Sequence, residues 1–485
     1  MDDSQAGPEL CCADSKPTST VQRALPQPRA DQRPTTVLLL ASAGAFLANL
    51  GLFIVNIALP DIRQSFAGTD LAGVAWVLNA YTVVFAALLT PAGRLADRYG
   101  RRLVFLIGAV VFTVASAACA AAVSVPLLVA FRAVQAIGAA LMIATSLALI
   151  LAAFPPAKRT TAVGFWAAIN ALAATTGPPM GGLLVELSWR WVFLVNLPIG
   201  VLILLIGPRV LAERKAPTAG MPDALGAVGL VLGVGALTWA FVEAGALGWT
   251  GGAVLAAFGV AALSLAWVVW RSMRHQVPVL DLHALRVPSF GLACAAMLLF
   301  SAGFGAMVFG NVLFLTGIWH ISAAVAGLML VPGALAVVVT APLGGRLTDR
   351  FGSGPVVAAG GIVFAVGAAW WIWLLDSTAD FTSGLLPGQV LAGIGIGLLM
   401  PSLNGVVGLT LPAPRWGAGS SMINTSRQVG IALGTAVTVA LYGSELSLPG
   451  FQHSWLLIIA TTLATAVAGF IIAAQRANPS TSDPQ

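Results

Sequence analysis

Two stretches of the chain set an aspartate among arginines in nearly the same order. The first reads Gly93-Arg94-Leu95-Ala96-Asp97-Arg98-Tyr99-Gly100, with Arg101 next, and the second Gly345-Arg346-Leu347-Thr348-Asp349-Arg350-Phe351-Gly352. Carboxylates and guanidiniums set this close can form charge-assisted hydrogen bonds. Other charges stand singly in apolar surroundings: Arg132, with Gln135 three residues on and so on the same helix face, then Arg427 and Glu243. An arginine keeps its proton at physiological pH, so it can only hold or repel charge. The histidines His275, His283, His320 and His453 have no paired metal-ligand spacing. No phosphate-binding Walker loop occurs, and no nucleophile–base set can be assembled. The chemistry on offer is the holding of charge; neither an enzyme nor a metal or cofactor site is expected.

These residues need elements to position them, and composition decides which. Hydrophobic residues make up 58% of the 485 residues and charged ones only 9%, where a soluble protein carries about 25%. So much apolar side chain needs lipid as its solvent. Apolar runs of helix-spanning length fall near 37–59, 72–91, 103–122, 126–149, 162–184, 192–208, 225–244, 251–270, 292–315, 322–342, 354–375, 385–406, 420–441 and 454–474. The expected fold is therefore an all-α polytopic membrane protein with fourteen spans.

Charge placement supports that count. Alternate loops hold only Arg63 and Arg190 among the basic residues, while Arg132 and Arg427 lie within spans; the remaining Lys and Arg gather on the other side. This positive-inside bias places both termini in the cytoplasm. The basic balance is thus read as anchoring to the inner leaflet, with no nucleic acid as partner. Residues 1–36, polar and Pro-rich, read as a disordered cytoplasmic tail, as do 476–485. The repeated stretches stand eight spans apart, so the chain divides into a six-helix bundle (37–211), a linker with two inserted helices (212–287) and a second bundle (288–475). Parallel repeats of this kind belong to transporters that rock one half against the other.

Both repeated stretches resemble the signature loop between the second and third helices of the major facilitator superfamily and its copy in the second half. That resemblance implies a gate of Gly93, Asp97, Arg98 and Arg101, with Gly345, Asp349 and Arg350 as its second copy; the glycine lets helices approach. Further stretches resemble the fourteen-helix drug:proton antiporter branch. Gly177-Pro178-Pro179-Met180-Gly181-Gly182 matches the stretch associated with antiporters, in which proline kinks the helix and glycines pack closely. Trp189-Arg190-Trp191-Val192-Phe193-Leu194-Val195-Asn196-Leu197-Pro198 matches the turn into the sixth helix, with its tryptophans expected at the membrane interface. Asn424-Thr425-Ser426-Arg427-Gln428-Val429-Gly430 matches the thirteenth helix, and Arg132-Ala133-Val134-Gln135 the motif whose arginine takes part in proton coupling.

One departure has chemical weight. Ile54-Val55-Asn56-Ile57-Ala58-Leu59-Pro60 is intact, but Gly51 occupies the position where this branch commonly embeds an aspartate. Glu243 is the acid left within a span. A cavity with Arg132 and Arg427 but without that acid suits neutral, zwitterionic or anionic molecules better than lipophilic cations. Asn49, Asn56, Asn170, Asn311, Asn404 and Asn424 are candidate hydrogen-bonding groups along the path. The resemblance implies a proton-coupled exporter of a drug or self-made antibiotic, such as a β-lactam, in a bacterial cytoplasmic membrane. Its energy source would be the proton gradient, with no cofactor and no obligate protein partner. The alternative is an uptake symporter of the same superfamily.

Overall fold

The computed structural model describes residues 34–66, 71–155, 159–213, 223–276, 278–280, 282–411, 416–442 and 446–477. The expected tails lie almost wholly outside these, as does the side chain of Asp97. Every regular element among them is helical. The first bundle comprises α1 (Pro34–Ser65), α2 (Leu71–Tyr99), α3 (Arg101–Ala120), α4 (Val125–Ala153), α5 (Arg159–Leu187) and a span broken into α6 (Trp191–Leu194) and α7 (Asn196–Val210). Then come α8 (Ala224–Leu247), α9 (Gly252–Arg274) and the single turn α10 (Leu282–Leu285). The second bundle comprises α11 (Pro288–Gly317), a span broken into α12 (Ala323–Met329) and α13 (Val331–Phe351), then α14 (Ser353–Leu374). It ends with α15 (Leu386–Thr410), entered through a π-helical turn at Phe381–Leu385, α16 (Trp416–Tyr442) and α17 (Leu448–Ala477).

Among the described residues, twelve helical segments are long and apolar enough to cross a membrane. With α5 (29 residues) and α16 (27 residues), which match them in length, the fold has the expected fourteen passes. Lipid offers no hydrophobic drive between helices, so small residues bring backbones together. A Cβ on Gly138 of α4 would lie 2.5 Å from the Phe112 nitrogen of α3, and one on Gly395 of α15 2.7 Å from the Gly360 carbonyl of α14.

Several boundaries differ from the sequence reading. The repeated stretches are not loops: Gly93–Tyr99 forms the last turns of α2, and Gly345–Phe351 those of α13. Only Gly100 and Gly352 leave the helices, at φ 117° and 87°, a region costly for any residue with a Cβ. The tenth span runs nine residues further than hydropathy suggests, to Phe351, because its charged last turns stay helical beyond the apolar run. Trp189 is not an interfacial belt residue. It is 3% exposed, with its ring 5.7 Å from that of Phe66 and 6.2 Å from that of Phe193, while Trp191 does remain exposed.

The two bundles meet along two seams, α2 against α16 and α5 against α12, with α1 and α11 crossing between them. We call the end of the array that carries Gly100 and Gly352 the motif face and the opposite end the far face. The inserted pair α8–α9 forms a hairpin whose α8 leans on both α2 and α16. There Ala227, Leu230, Val234 and Val268 pack with Val83 and Ala87 of α2 and Ala432 of α16.

Candidate transport site

A small cavity lies at the junction of the bundles. Leu52, Phe53 and Asn56 of α1 and Leu78 and Thr82 of α2 face Phe304, Gly305 and Val308 of α11 and Ile431 and Thr435 of α16. Its room is about 20 Å³, little more than one water molecule. The rings of Phe53 and Phe304 meet edge-on across the bundles at 6.1 Å. Its polar lining is two hydroxyls and the Asn56 amide, whose Nδ2 donates to the Leu52 carbonyl at 3.2 Å. None of the lining side chains is ionisable.

Arg132 does not line this cavity. It is fully buried one layer behind, where α2 separates it from the junction. Its Nε donates to the Val77 carbonyl at 2.9 Å and its Nη1 to Gln135 Oε1 at 2.6 Å, so the three-residue spacing does join the pair. Gln135 Nε2 in turn donates to Ser116 Oγ of α3 at 2.7 Å. The guanidinium carbon lies 4.1 Å from the centre of the Tyr81 ring, and the Tyr81 hydroxyl donates to the Ala48 carbonyl of α1 at 2.6 Å. Nη2 is buried with no partner.

Gly51 faces the ring on which Arg132 stacks. A Cβ there would lie 3.8 Å from Tyr81 Oη and 3.5 Å from the Phe112 ring, in ordinary contact. An acid at this position would therefore sit beside the Tyr81–Arg132 stack. With glycine, Arg132 keeps its charge among neutral donors and acceptors.

The remaining amides divide. Asn49 Nδ2 donates to Asn170 Oδ1 at 2.6 Å, tying α1 to α5, and Asn170 donates to the Trp166 carbonyl at 2.7 Å. Asn404 and Asn424 donate to their own helices at Met400 and Ser420, at 2.7 and 3.0 Å; Asn404 remains exposed. Asn311 is 2% exposed and its Nδ2 has no partner. Arg427 is half-buried on α16 with its Nε buried and unpartnered, and two residues earlier Thr425 donates to the Ala86 carbonyl of α2 at 3.3 Å. Glu243 is half-buried near the far-face end of α8 and is not part of the cavity lining.

The Gly-Pro stretch of α5 is wedged between the bundles near the far face. Cβ atoms on Gly177 and Gly181 would meet α1, at 2.8 Å from Phe53 Cβ and 2.8 Å from the Ile54 carbonyl. One on Gly182 would meet the other bundle, 2.6 Å from the Ala323 carbonyl and 2.7 Å from Ala324 Cα. Reciprocally, one on Gly327 of α12 would press on the Pro178 carbonyl. The far face is shut, backbone against backbone. The motif face differs: α5 packs extensively on the seven-residue α12 and only lightly on the longer α13. Gly93 and Gly345, whose role by resemblance is close approach, have nothing among the described residues within 4 Å of where a Cβ would stand. Arg98, Asp349 and Arg350 are exposed there.

Sequence reasoning missed two acids at the motif face. Asp223, assigned to a linker, is 1% exposed and caps α8; its Oδ1 accepts from the Gly226 nitrogen at 2.8 Å and from Arg271 Nε of α9 at 2.5 Å. An aspartate directly before an apolar run is a helix-start signal that would have found it. Glu213 lies against Gly100 and accepts from the Leu103 nitrogen at 3.2 Å, capping the start of α3. Nothing local in the sequence announces that contact.

Two bundles with paired motifs, joined at a central cavity, are the arrangement of a known transporter family, and the comparison decides it. The profile of the Major Facilitator Superfamily matches residues 41–318 and again 292–485. The chain belongs to that superfamily. This facilitator is 36% identical over 414 residues to the multidrug resistance protein Stp of Mycobacterium tuberculosis, covering 84% of the chain and 76% of that relative. It is 36% identical over 423 residues to the cephamycin export protein CmcT of Amycolatopsis lactamdurans, covering 85% and 86%. Among solved structures, the D-xylose-proton symporter shares the facilitator fold at TM-score 0.65 and 14% identity, over 90% of this chain and 97% of the other.

Proposed function

We propose that this facilitator exports a small drug-like or antibiotic molecule across the cytoplasmic membrane of a bacterium in exchange for protons. In this reading the motif face and both termini are cytoplasmic. The observation that carries it is the opposite state of two glycine sets. Gly182 and Gly327 are pressed between bundles at the far face, whereas Gly93 and Gly345 stand in open space at the motif face. That is an inward-facing member of an alternating-access cycle, and the reciprocal state would pack Gly93 and Gly345 and release α5 from α12. The relatives named for multidrug resistance and cephamycin export support the outward direction.

Substrate charge follows from what surrounds the cavity. Its lining holds no ionisable group, and the charges near it are both positive: Arg132, held by neutral partners on α2 and α4, and Arg427, one turn before the lining Ile431 on α16. In low dielectric that positive field disfavours a cation and favours a neutral or anionic molecule. A β-lactam carboxylate is one substrate of that class.

The test is flux into inverted vesicles, with and without a pH gradient, across compounds graded by charge. Neutral and anionic compounds should accumulate only with the gradient, permanent cations poorly. Arg132→Ala should lose anions more than neutral compounds, and Gly51→Asp should shift preference toward cations, because its carboxylate would neutralise the Tyr81–Arg132 stack. Strong cation transport by wild type, unaffected by Arg132→Ala, would overturn the charge reading. Substrate and proton moving in the same direction would make the protein a symporter.

A further inference from the structure

Two arginines lie inside spans, and their donors are in opposite states. Arg132 is held: it donates to the Val77 carbonyl and to Gln135, and its guanidinium stacks on Tyr81. Arg427 makes no hydrogen bond or ion pair among the described residues, and its Nε is buried without a partner. A cation carried into a span in this state is costly, and nothing among the described residues offsets it. Taking the export reading above as given, we propose that Arg427 is the receptor for a carboxylate of the substrate, met between the motif face and the central cavity.

Position supports this role. Arg427, Ile431 and Thr435 follow at four-residue steps along one face of α16, and the latter two line the central cavity. Arg427 stands one turn nearer the motif face, about 6 Å along the axis at about 1.5 Å per residue. The other sides of α16 are taken. Cβ atoms on Gly430 and Gly434 would press on the Leu298 and Ala302 carbonyls of α11, Thr425 reaches the Ala86 carbonyl of α2, and Ala432 packs against α8. The half-buried Arg427 therefore opens toward the junction of the bundles, on its motif-face side.

Donor geometry selects the ligand. Nε and one Nη lie along a single edge of a guanidinium and match the two oxygens of a carboxylate. An arriving carboxylate would satisfy the orphaned Nε and neutralise the charge together. A neutral ester offers acceptors without the charge, and a cation is repelled. With its carboxylate held at Arg427, a molecule would extend its apolar part toward Phe53 and Phe304, whose rings meet across the cavity at 6.1 Å.

Binding can be read apart from transport. The full chain, purified in neutral detergent, is titrated with benzylpenicillin, its methyl ester or tetraphenylphosphonium while the thermal unfolding midpoint is followed. Wild type should take the carboxylate at a half-saturating concentration about tenfold below that of the ester, the difference made by a charge-assisted bidentate pair, and should take the cation least. Arg427→Gln should remove that preference, weakening the carboxylate about tenfold and leaving the ester unchanged. Arg427→Lys keeps the charge but loses the planar fork, so it should fall between the two, and it keeps the test alive should the glutamine variant fail to fold. No carboxylate preference in wild type, a preference undiminished in either folded variant, or equal weakening of both probes would overturn the assignment. Vesicle flux against a pH gradient judges the export reading separately: gradient-driven export with a carboxylate preference independent of Arg427 would leave that reading standing and sink this one.

Discussion

At the α5–α12 seam, Gly182 and Gly327 bring backbone against backbone, whereas the α2–α16 seam packs through side chains and carries the inserted α8 along its flank. A contact between backbones is all or nothing, because a shift of an ångström or two forfeits the whole of it. An interface of Val83, Ala87 and Ala432, backed by Leu230 and Val268, can roll while staying packed. In the proposed transport cycle the first seam would open as a gate and the second would stay together as a hinge. In that comparison the inserted hairpin braces the hinge, and its motif-face end is pinned by Asp223 and Arg271.

The gate side should show the largest effect. Gly182→Leu must displace the Ala323–Ala324 backbone, so it should cost about 3 kcal/mol of stability in this conformation. Export should fall at least tenfold. Thermal unfolding in detergent and vesicle flux measure the two; wild-type values for both would mean that the seam is not a closed backbone contact.

The hinge side should respond next. Asp223→Ala leaves Arg271 without its partner and removes the cap of α8, for about 3 kcal/mol at most, less because Arg271 is 23% exposed. The loss should be confined to the hairpin, so hydrogen exchange should rise in α8 and α9 and much less in α5 and α12. Uniform exchange across both seams would remove the distinction between brace and gate.

Why one seam was legible and the other was not follows from how each is written. Gly177, Gly181 and Gly182 sit at helical spacing beside two prolines, a local pattern, and the structure puts all three at close contacts. The repeated motifs were legible for the same reason, but not their form. Charged residues such as Arg94, Asp97 and Arg98 read as loop on a hydropathy scale, while the backbone stays helical to Tyr99 and breaks only at Gly100. Arg132 could be placed inside a span, but not behind α2, because a burial direction depends on which helices surround it. The bracing role of α8 and the capping by Glu213 depend on contacts between distant segments and leave no local trace.

A sharper division comes from the open glycine. Gly93→Leu has room in this conformation, with nothing among the described residues within 4 Å of its Cβ position, so stability should change by no more than about 0.5 kcal/mol. If the reciprocal state packs Gly93 between helices, leucine blocks that state and transport should still fall about tenfold. Stability retained with transport lost is the signature of a residue needed only in the other conformation. Normal flux by this variant would show that the motif face never closes at Gly93.

The smallest effect tests whether the hinge relies on any directional bond. Thr425 Oγ1 donates to the Ala86 carbonyl across the α2–α16 seam at 3.3 Å, long for such a bond, and Thr425 is 5% exposed. Thr425→Val keeps the shape of the side chain and removes the hydroxyl. The Ala86 carbonyl lies inside α2, where the backbone ladder already supplies it with a donor, so no buried acceptor is orphaned. The expected loss is therefore about 0.5 kcal/mol, at the low end for a hydrogen bond, with flux near wild type. A loss above about 2 kcal/mol would mean that the seam is fixed in register by that bond and cannot roll, since shape packing alone would not be so sensitive to one hydroxyl. Combining Thr425→Val with Asp223→Ala sharpens the point: if α8 is what holds the hinge, the pair should lose more stability than the two single losses added, because each would otherwise cover for the other.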